Sequence, residues 1–289
     1  MKALLIEHVK KYYGTSRGVE DVTFDVNFGE IVGFVGPNGA GKSTILRLIM
    51  GLLNKDTGQI LIENQEPDFI SNKNIGYLPS EVFLFPEYTV LEQLQFFASI
   101  RKVTIQRGLE LAGLLQLDLS KKISQLSFGN RKKVGIVAAL LHQPKIILLD
   151  EPTSGLDPLI QQIFFTILQE EKAKQVAILL SSHVLNEVEK ICDRIVLIKE
   201  GRILFSEEIM KIKTKAFKKV YISPVIENIV LPGLIQIAKN THQVIYTYQG
   251  EINALLQLLA SYSLESVNIL DLDLEEIFMQ YYQGDETND

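Results

Sequence analysis

The sequence contains one segment whose residue types and spacing suit the binding of phosphate groups. Gly36–Ser43 follows the pattern G-x-x-x-x-G-K-S, between an apolar stretch that predicts a strand, Glu30–Val35, and a run that predicts a helix, Ile45–Leu53. Glycines let such a loop curl so that its backbone N–H groups point inward, in front of a helix N-terminus. We therefore expect Lys42 to contact the β- and γ-phosphates of a nucleotide, and the Ser43 hydroxyl to face Mg²⁺.

Two acidic residues could complete this chemistry. Asp150 and Glu151 follow an apolar stretch, Lys145–Leu149, that predicts a strand. A carboxylate at a strand end beside a phosphate loop can hold Mg²⁺ through water, and its neighbour can orient or deprotonate an attacking water. Two acids at a strand end are a weak signal by themselves, but the segment that follows, Pro152–Asp157 (PTSGLD), strengthens it.

The elements that would position these residues alternate between strand and helix. Strands are predicted over 4–9, 22–26, 30–35, 58–63, 74–78, 145–149, 176–181, 194–199 and 202–205, and helices over 45–53, 89–100, 106–115, 130–142, 159–172 and 185–192. A capping box of Thr89 and Glu92 opens the second of these helices, and Pro144 stops the fourth. The alternation predicts an α/β fold with a mainly parallel sheet.

Composition argues against several classes of protein. The chain of 289 residues has a net charge of −6, which argues against a basic, nucleic-acid-binding protein. Its one cysteine, Cys192, cannot form a disulfide within the chain or a paired-cysteine metal site, and it fits a reducing compartment. The apolar runs, such as 134–141, are too short to span a membrane, and the N-terminus lacks the apolar run of a secretory signal. We therefore expect a cytoplasmic chain whose role at a membrane would need a partner.

Charge is distributed unevenly along the chain. Residues 1–214 carry 25 basic and 25 acidic side chains, whereas residues 215–289 carry four and ten. This shift predicts a first domain over 1–214 and a small acidic accessory domain over 215–289, although one domain with an acidic face is an open alternative. The tail is predicted to run β-α-β-α-β-α, with strands over 218–222, 243–248 and 266–270 and helices over 231–238, 252–261 and 274–282.

Six short motifs follow one another within residues 4–205: Tyr13 in Lys11–Gly14, Gly36–Thr44, Leu126–Asn130 (LSFGN), Ile146–Glu151, Ser154–Asp157 and His183. They resemble, in this order, the adenine-stacking aromatic, P-loop, signature, Walker B strand, D-loop and switch histidine of the ATP-binding subunits of ATP-binding cassette (ABC) transporters. The resemblance implies a P-loop NTPase-type ABC ATPase core with a mainly parallel sheet, an antiparallel β subdomain and a helical subdomain at about 81–142. The tail resembles the small C-terminal α+β domain of ATPases that serve exporters of the ABC-2 type.

The resemblance also implies how the site would be assembled. Two such subunits, in a homodimer or a heterodimer, would face head to tail, with ATP on the P-loop of one capped by the signature of the other. The implied cofactors are ATP and Mg²⁺. The implied catalytic residues are Glu151, His183 and Lys42, and the implied metal ligands are Ser43 and Asp150. The implied nucleotide-binding residues are Tyr13, Gly36, Pro37, Asn38, Gly39, Ala40, Gly41, Lys42, Ser43, Thr44, Ser127, Gly129 and Asp157.

Three positions depart from the family's pattern. Phe128 stands where the signature commonly has glycine, and Asn130 where it has glutamine. Ser127 and Gly129 remain, so they still offer a hydroxyl, N–H groups and the positive end of a helix to a phosphate. Ser80 replaces a glutamine that reaches Mg²⁺. Serine is about two bonds shorter, so a bridging water or the following segment would have to take its place.

The implied function is ATP binding and hydrolysis that powers a transporter, most simply an exporter, beneath a separately encoded membrane permease. The permease is expected to dock near Ser80–Pro86, where Phe83 and Phe85 could anchor a helix in a groove. Alternatively, both rings pack the helical subdomain. The chain would be peripheral on the inner face of the cell membrane. The alternative functions are a soluble or regulatory ABC-type ATPase without a permease, and an importer ATPase.

Several other polar residues are interpreted as structural. Cys192 is expected to be buried and inert on an apolar helix face. His8, His142 and His242 are isolated, and no pair of them has the spacing of metal ligands. Arg131–Lys133 is interpreted as a solvated helix face.

Overall fold

The computed structural model describes residues 1–14, 16–67, 71–215, 218–226, 229–272 and 274–276. The chain divides into two compact units, Met1–Glu207 and Glu208–Asp289. One short helix, Ile209–Lys215, lies between this division and the boundary that the charge distribution predicts.

Strands and helices alternate through the first unit. Its elements are β1 (Lys2–Tyr13), β2 (Ser16–Asn27), β3 (Ile31–Val35), α1 (Lys42–Ile49), β4 (Thr57–Ile62), β5 (Ile75–Leu78), α2 (Val90–Arg101), α3 (Gln106–Leu114), α4 (Phe128–Leu140), β6 (Ile146–Asp150), α5 (Pro158–Ala173), β7 (Ala177–Ser182), α6 (Leu185–Ile191), β8 (Arg194–Lys199) and β9 (Arg202–Glu208). Short 3₁₀ turns cover Ser71–Asn74 and Ile123–Gln125.

These strands form one nine-stranded sheet in the order β4-β1-β2-β9-β8-β3-β7-β6-β5. Strands β8, β3, β7, β6 and β5 run parallel, whereas β1 is antiparallel to β2 and β4. Every residue of β3, β6 and β7 is buried, as their consecutive apolar residues require. Because these three strands are neighbours, the loops at their carboxyl ends meet at one edge of the sheet, where α/β proteins bind ligands.

Two helix starts show how local sequence sets the helices beside this edge. The predicted capping box at α2 is confirmed, since the Thr89 hydroxyl accepts from the Glu92 N–H (3.2 Å) and the Thr89 N–H donates to the Glu92 carboxylate (2.8 Å). Helix α4 begins two residues earlier than predicted because Ser127 caps it, with its Oγ accepting from the Asn130 N–H (3.3 Å). Helices α2 and α3 both pack against α4.

The second unit is built around a separate antiparallel sheet. Its elements are α7 (Ile209–Lys215), β10 (Lys218–Ser223), β11 (Leu234–Lys239), β12 (Val244–Tyr248), α8 (Ile252–Leu259) and β13 (Ser266–Asp271). The strand order is β11-β12-β10-β13. Leu255 and Leu259 of α8 pack with Val220 and Tyr246 in the core of this unit.

The predicted helix over 231–238 is wrong, because this segment contains the edge strand β11. Ile235 and Ile237 recur at the period of a strand, and Ile235 pairs with Thr247 of β12. Gly233 turns the chain into this strand with a φ of 82°, and a Cβ there would lie 2.0 Å from the Gln249 carbonyl oxygen. The tail therefore runs β-β-β-α-β after α7. Most of the predicted closing helix over 274–282 lies outside the described residues.

Candidate functional site

The loop after β3 needs glycine at two positions for steric reasons. A Cβ on Gly36 would lie 2.2 Å from the carbonyl oxygen of Ile198 on β8. Gly41 has a φ of 107°, and a Cβ there would lie 2.5 Å from Cγ1 of Val19. Gly41 also caps α1 without a side-chain bond, so the free N–H groups of the first helical turn are available to an anion.

Lys42 is held inside this loop. Its side chain is 6% exposed, and its Nζ donates to the carbonyls of Gly36 (2.7 Å) and Pro37 (3.2 Å). Burial lowers the pKa of Lys42, while the negative charges of Glu151 and Asp150 act in the opposite direction. The ammonium is therefore a desolvated cation that an anionic ligand would stabilise.

A cavity of about 350 Å³ opens over the loop. Its lining residues are Tyr13, Gly18, Asn38, Gly39, Gly41, Lys42, Ser43, Thr44, Ser80 and Glu151. Most of the residues predicted for the nucleotide are therefore brought together, and the half-exposed Tyr13 ring is available for stacking on a base. Gly18 was missed: a Cβ there would lie 2.9 Å from Cε2 of Tyr13, and a lone glycine in a strand gives no warning of that contact.

Asp150 offers a buried oxygen to a cation. Its Oδ1 accepts a hydrogen bond from the Ser181 hydroxyl (2.6 Å), whereas its Oδ2 is buried without a hydrogen-bond partner among the described residues. Such an orphaned carboxylate oxygen is costly unless a ligand satisfies it. A carboxylate and the Ser43 hydroxyl are ligands that Mg²⁺ accepts, since this ion keeps several waters and also binds substrate phosphates. The residues present therefore fit Mg²⁺.

Glu151 lies between two basic side chains at the wall of the cavity. Its Oε2 is 2.8 Å from Nδ1 of His183, and its Oε1 is 3.7 Å from Nζ of Lys42. Its φ of 48° is in the left-handed region, which is uncommon for residues other than glycine and is often found at functional sites. The adjacent strands β6 and β7 thus bring the predicted acid and histidine into direct contact.

Three of the residues predicted to bind the nucleotide, Ser127, Gly129 and Asp157, form a second group outside the glycine loop. None of Ser127, Gly129 and Asp157 is among the described residues that line the cavity. Instead, a Cβ on Gly129 would lie 2.2 Å from the Gly155 carbonyl oxygen, so the start of α4 packs directly on the loop before α5. Asp157 caps α5, with its Oδ1 accepting from the Ile160 N–H (3.0 Å). Two separate surfaces therefore carry the predicted nucleotide contacts.

Comparison with known proteins assigns the family. A family model described as ABC transporter matches residues 19–154. An uncharacterized ABC transporter ATP-binding protein of Methanocaldococcus jannaschii, MJ1023, is 36% identical over 204 residues, which cover 68% of this chain and 74% of that protein. The chain belongs to the ABC transporter ATP-binding protein family.

Other relatives of this ABC ATPase have names that state a transport role. The lantibiotic transport ATP-binding protein SrtF of Streptococcus pyogenes is 34% identical over 208 residues, covering 71% of this chain and 90% of SrtF. The bacitracin transport ATP-binding protein BcrA of Bacillus licheniformis is 36% identical over 204 residues, covering 67% of this chain and 66% of BcrA.

Solved structures confirm the predicted ABC ATPase fold. The structure of an ATP-binding subunit of an ABC transporter matches with a TM-score of 0.68 and 32% identity, covering 73% of this chain and 92% of that one. The dimeric structure of MJ0796, a bacterial ABC transporter cassette, matches with a TM-score of 0.66 and 26% identity. The match covers 71% of this chain and 98% of the MJ0796 chain.

The interpretation of Arg131–Lys133 as a solvated face is wrong in this ABC ATPase. Arg131 is exposed, but Lys132 is 1% exposed and Lys133 is buried. Burial lowers the pKa of Lys132 to about 8, although the charges of Asp150 and Glu151 raise it. The helical period gave a signal for this, because Lys132 and Lys133 precede the buried Ile136 and Val137 by one turn.

The two phenylalanines of the predicted docking segment differ in their surroundings. Phe85 packs against Tyr88 and Phe96, with ring centroids 5.0 Å from each. Phe83 is 88% exposed. Packing within the helical region therefore accounts for Phe85, whereas the Phe83 ring is free for another surface. No helix among the described residues is long and apolar enough to cross a membrane.

Of two residues interpreted as structural, Cys192 is buried and His142 is partly buried. Burial raises the pKa of the Cys192 thiol, which keeps it protonated and unreactive. Nε2 of His142 is 3.1 Å from the Ile75 carbonyl oxygen, and burial beside Arg101 lowers the pKa of His142 to about 4. The imidazole is therefore neutral.

Proposed function

We propose that this chain is the ATP-hydrolysing subunit of an ABC exporter. The observation that carries the proposal is the position of Glu151, whose carboxylate lies at the cavity wall, 3.7 Å from the Lys42 ammonium and 2.8 Å from His183. A carboxylate beside a phosphate cradle is suited to accept a proton from water.

The cradle would bind ATP through charge and backbone donors. Lys42 would leave its carbonyl partners for the β- and γ-phosphates, and the N–H groups of the loop and of α1 would donate to phosphate oxygens. Tyr13 would stack on the adenine. Asp150 and Ser43 would hold Mg²⁺, which supplies positive charge to the phosphates when bound.

Glu151 and His183 would carry the hydrolytic step. Glu151 takes a proton from water as the water oxygen bonds to the γ-phosphorus and the bond to the β–γ bridging oxygen breaks, leaving ADP and phosphate. His183 would fix the orientation of this carboxylate through its Nδ1 contact and would contact the γ-phosphate. These two roles agree with the positions of Glu151 and His183, which directly follow the adjacent strands β6 and β7.

The second group of residues would complete the site of another subunit. Ser127 and Gly129 lie at the N-terminus of α4 and do not line the cavity of their own chain, and Asp157 lies at the start of α5. We propose that they cap the ATP bound to a facing subunit. Because this chain carries both groups, a homodimer would contain two complete sites, and a heterodimer with another ABC subunit could also be built.

The exposed Phe83 supports a membrane partner. An exposed aromatic ring is suited to the centre of a protein interface, and the names of SrtF and BcrA state transport. We propose that a separately encoded permease docks near Ser80–Pro86 and holds the chain at the inner face of the membrane.

The hydrolytic proposal is tested with the purified full chain. Wild type, Glu151→Gln and the matched surface variant Glu110→Gln are assayed for phosphate release from Mg-ATP. Loss of a general base lowers kcat by about 10²–10⁴-fold, so Glu151→Gln is expected to lose turnover in this range and to keep ATP affinity. Glu110→Gln should match the wild type. Full turnover by Glu151→Gln, or a wild type that binds ATP without hydrolysing it, would contradict the proposal.

Docking is tested by recovering membrane proteins with the tagged chain from its own host. Phe83→Asp should lower the yield of a co-purifying permease by about tenfold or more, since buried interface aromatics carry much of the binding energy. Leu52→Asp is the matched control, because Leu52 is also largely exposed but lies after α1. Failure of the wild-type chain to recover any membrane protein would overturn this part of the proposal.

A further inference from the structure

Lys132 connects the helix that begins at the signature to two strand ends at the nucleotide cavity. Its Nζ donates to the carbonyls of Pro79 (3.2 Å), Ser80 (2.9 Å) and Asp150 (3.2 Å). An ammonium group has three N–H donors and no acceptor, so each donor has one carbonyl. A buried cation without such partners would be strongly destabilising.

These carbonyls lie at two strand ends that reach the nucleotide cavity, which Ser80 and Glu151 line. Pro79 and Ser80 follow β5, Asp150 ends β6, and the two strands are parallel neighbours. Ser80 lines this cavity, and its carbonyl accepts the hydrogen bond from Lys132. A shift of Lys132 would therefore move Asp150, which bears the proposed metal-binding carboxylate, and Ser80, which lines the cavity.

We propose that Lys132 is a positioning residue for ATP hydrolysis. It ties the start of α4 to the carbonyls of Ser80 and Asp150. When Ser127 caps the nucleotide of a facing subunit, this tie aligns the catalytic site of its own chain. The inference rests on the proposed function. Ser127 and Lys132 are on one rigid helix, little more than a turn apart, so movement at the helix start reaches the Lys132 ammonium directly.

A second ionic link between a helix and the core provides the matched control. Arg107 of α3 donates to the buried Glu171 of α5 (2.9 Å), and Glu171 also accepts from Lys174 (2.9 Å). The residues of this link are absent from the lining of the nucleotide cavity. Arg107→Met therefore removes a helix-to-core contact, leaves Glu171 paired and does not touch the wall.

The test uses the full chain with Lys132→Met, Lys132→Arg and Arg107→Met. Thermal unfolding, the affinity for a fluorescent ATP analogue, kcat and KM are measured for each. Lys132→Met should lower kcat by about tenfold or more with analogue affinity nearly unchanged, as expected when hydrogen bonds from a charged group are lost. Lys132→Arg should recover much of the turnover, because an adjoining cavity of about 270 Å³ leaves room for the larger cation. Arg107→Met should keep wild-type kcat and KM.

The outcomes separate the inference from the proposed function. If folded Lys132→Met turns over like the wild type, or if Arg107→Met loses the same turnover, the inference is wrong and the proposed function stands. If the wild type binds the analogue without hydrolysing ATP, both fail. Should Lys132→Met not fold, Lys132→Gln replaces it, because Gln lacks the positive charge and the third N–H donor and its side chain is one bond shorter. A folded Gln variant with wild-type kcat would also overturn the inference.

Discussion

Two buried lysines contact the region of Asp150 and Glu151 from two cavities that share Ser80 as a lining residue. Both lysines donate to main-chain carbonyls, and burial lowers the pKa of each. Lys42 lies on the open side, where its other neighbours are the loop and the Glu151 carboxylate. Lys132 lies at the other cavity, and each of its three N–H donors is engaged by a main-chain carbonyl.

The different positions of the two lysines relative to the nucleotide cavity indicate two roles. Lys42 is placed to bind a ligand, whereas Lys132 holds main-chain segments beside the cavity in position. Lys42 can exchange carbonyl partners for phosphate oxygens because the cavity lies in front of it. Lys132 has no comparable opening to the nucleotide cavity, so its charge stabilises protein segments instead. Burial and a lowered pKa therefore accompany two different roles, and the position of the nucleotide cavity decides between them.

The largest expected effect that distinguishes the two lysines is on nucleotide affinity. Lys42→Met should weaken ATP binding by about 10–100-fold, because it removes charge-assisted hydrogen bonds to phosphate. Titration with a fluorescent ATP analogue measures this loss, and Lys132→Met is the comparison variant that should bind normally. Equal affinities of Lys42→Met and Lys132→Met for the ATP analogue would contradict the assignment of ligand binding to Lys42 alone.

A smaller effect is expected from filling the space behind the loop. Gly36→Ala places a Cβ against the Ile198 carbonyl and should lower the free energy of unfolding by about 1–3 kcal/mol through strain. Gly113→Ala in α3 is the control, because nothing lies within 4 Å of its Cβ position. Denaturant unfolding compares the two. A Gly36→Ala variant as stable as the control would show that the loop can move away from β8.

The smallest effect is expected in the second unit. Its edge strand exposes an apolar side chain, which is the reverse of the two buried lysines of the first unit. Ile235 of the edge strand β11 is 58% exposed. Ile235→Lys should therefore change the free energy of unfolding by less than about 0.5 kcal/mol. Leu255→Ala, at a fully buried site of α8, should cost about 2–5 kcal/mol in the same assay. A large loss from Ile235→Lys would mean that another surface covers this strand.

The parts of the fold that the sequence predicts well are those whose signal is local. The glycine loop, the capping box of Thr89 and the consecutive apolar residues of β6 each specify their structure within a few positions. The local pattern predicts a helix where strand β11 lies, because only the pairing with β12 and the turn at Gly233 specify the strand. Propensity alone does not supply these contacts.

The same distinction applies to the candidate site. Lys42, Asp150 and Glu151 are recognisable from motif spacing, and the structure brings them to one edge of the sheet. The local sequence predicts an exposed Lys132, because its carbonyl partners at Pro79 and Ser80 are more than 50 positions away in the sequence. Contacts between residues so far apart in the sequence arise because α4 packs on β5, and no local sequence pattern predicts that packing.

The most direct test of the account is the mass of Glu151→Gln in solution with and without Mg-ATP, measured by size-exclusion chromatography with light scattering. The variant should bind ATP without consuming it, so the group around Ser127 and Gly129 would stay on the nucleotide of a facing subunit. A monomer is expected without nucleotide and a dimer with Mg-ATP. A variant that binds Mg-ATP and remains monomeric would contradict the claim that this chain completes its own site across a pair of identical subunits.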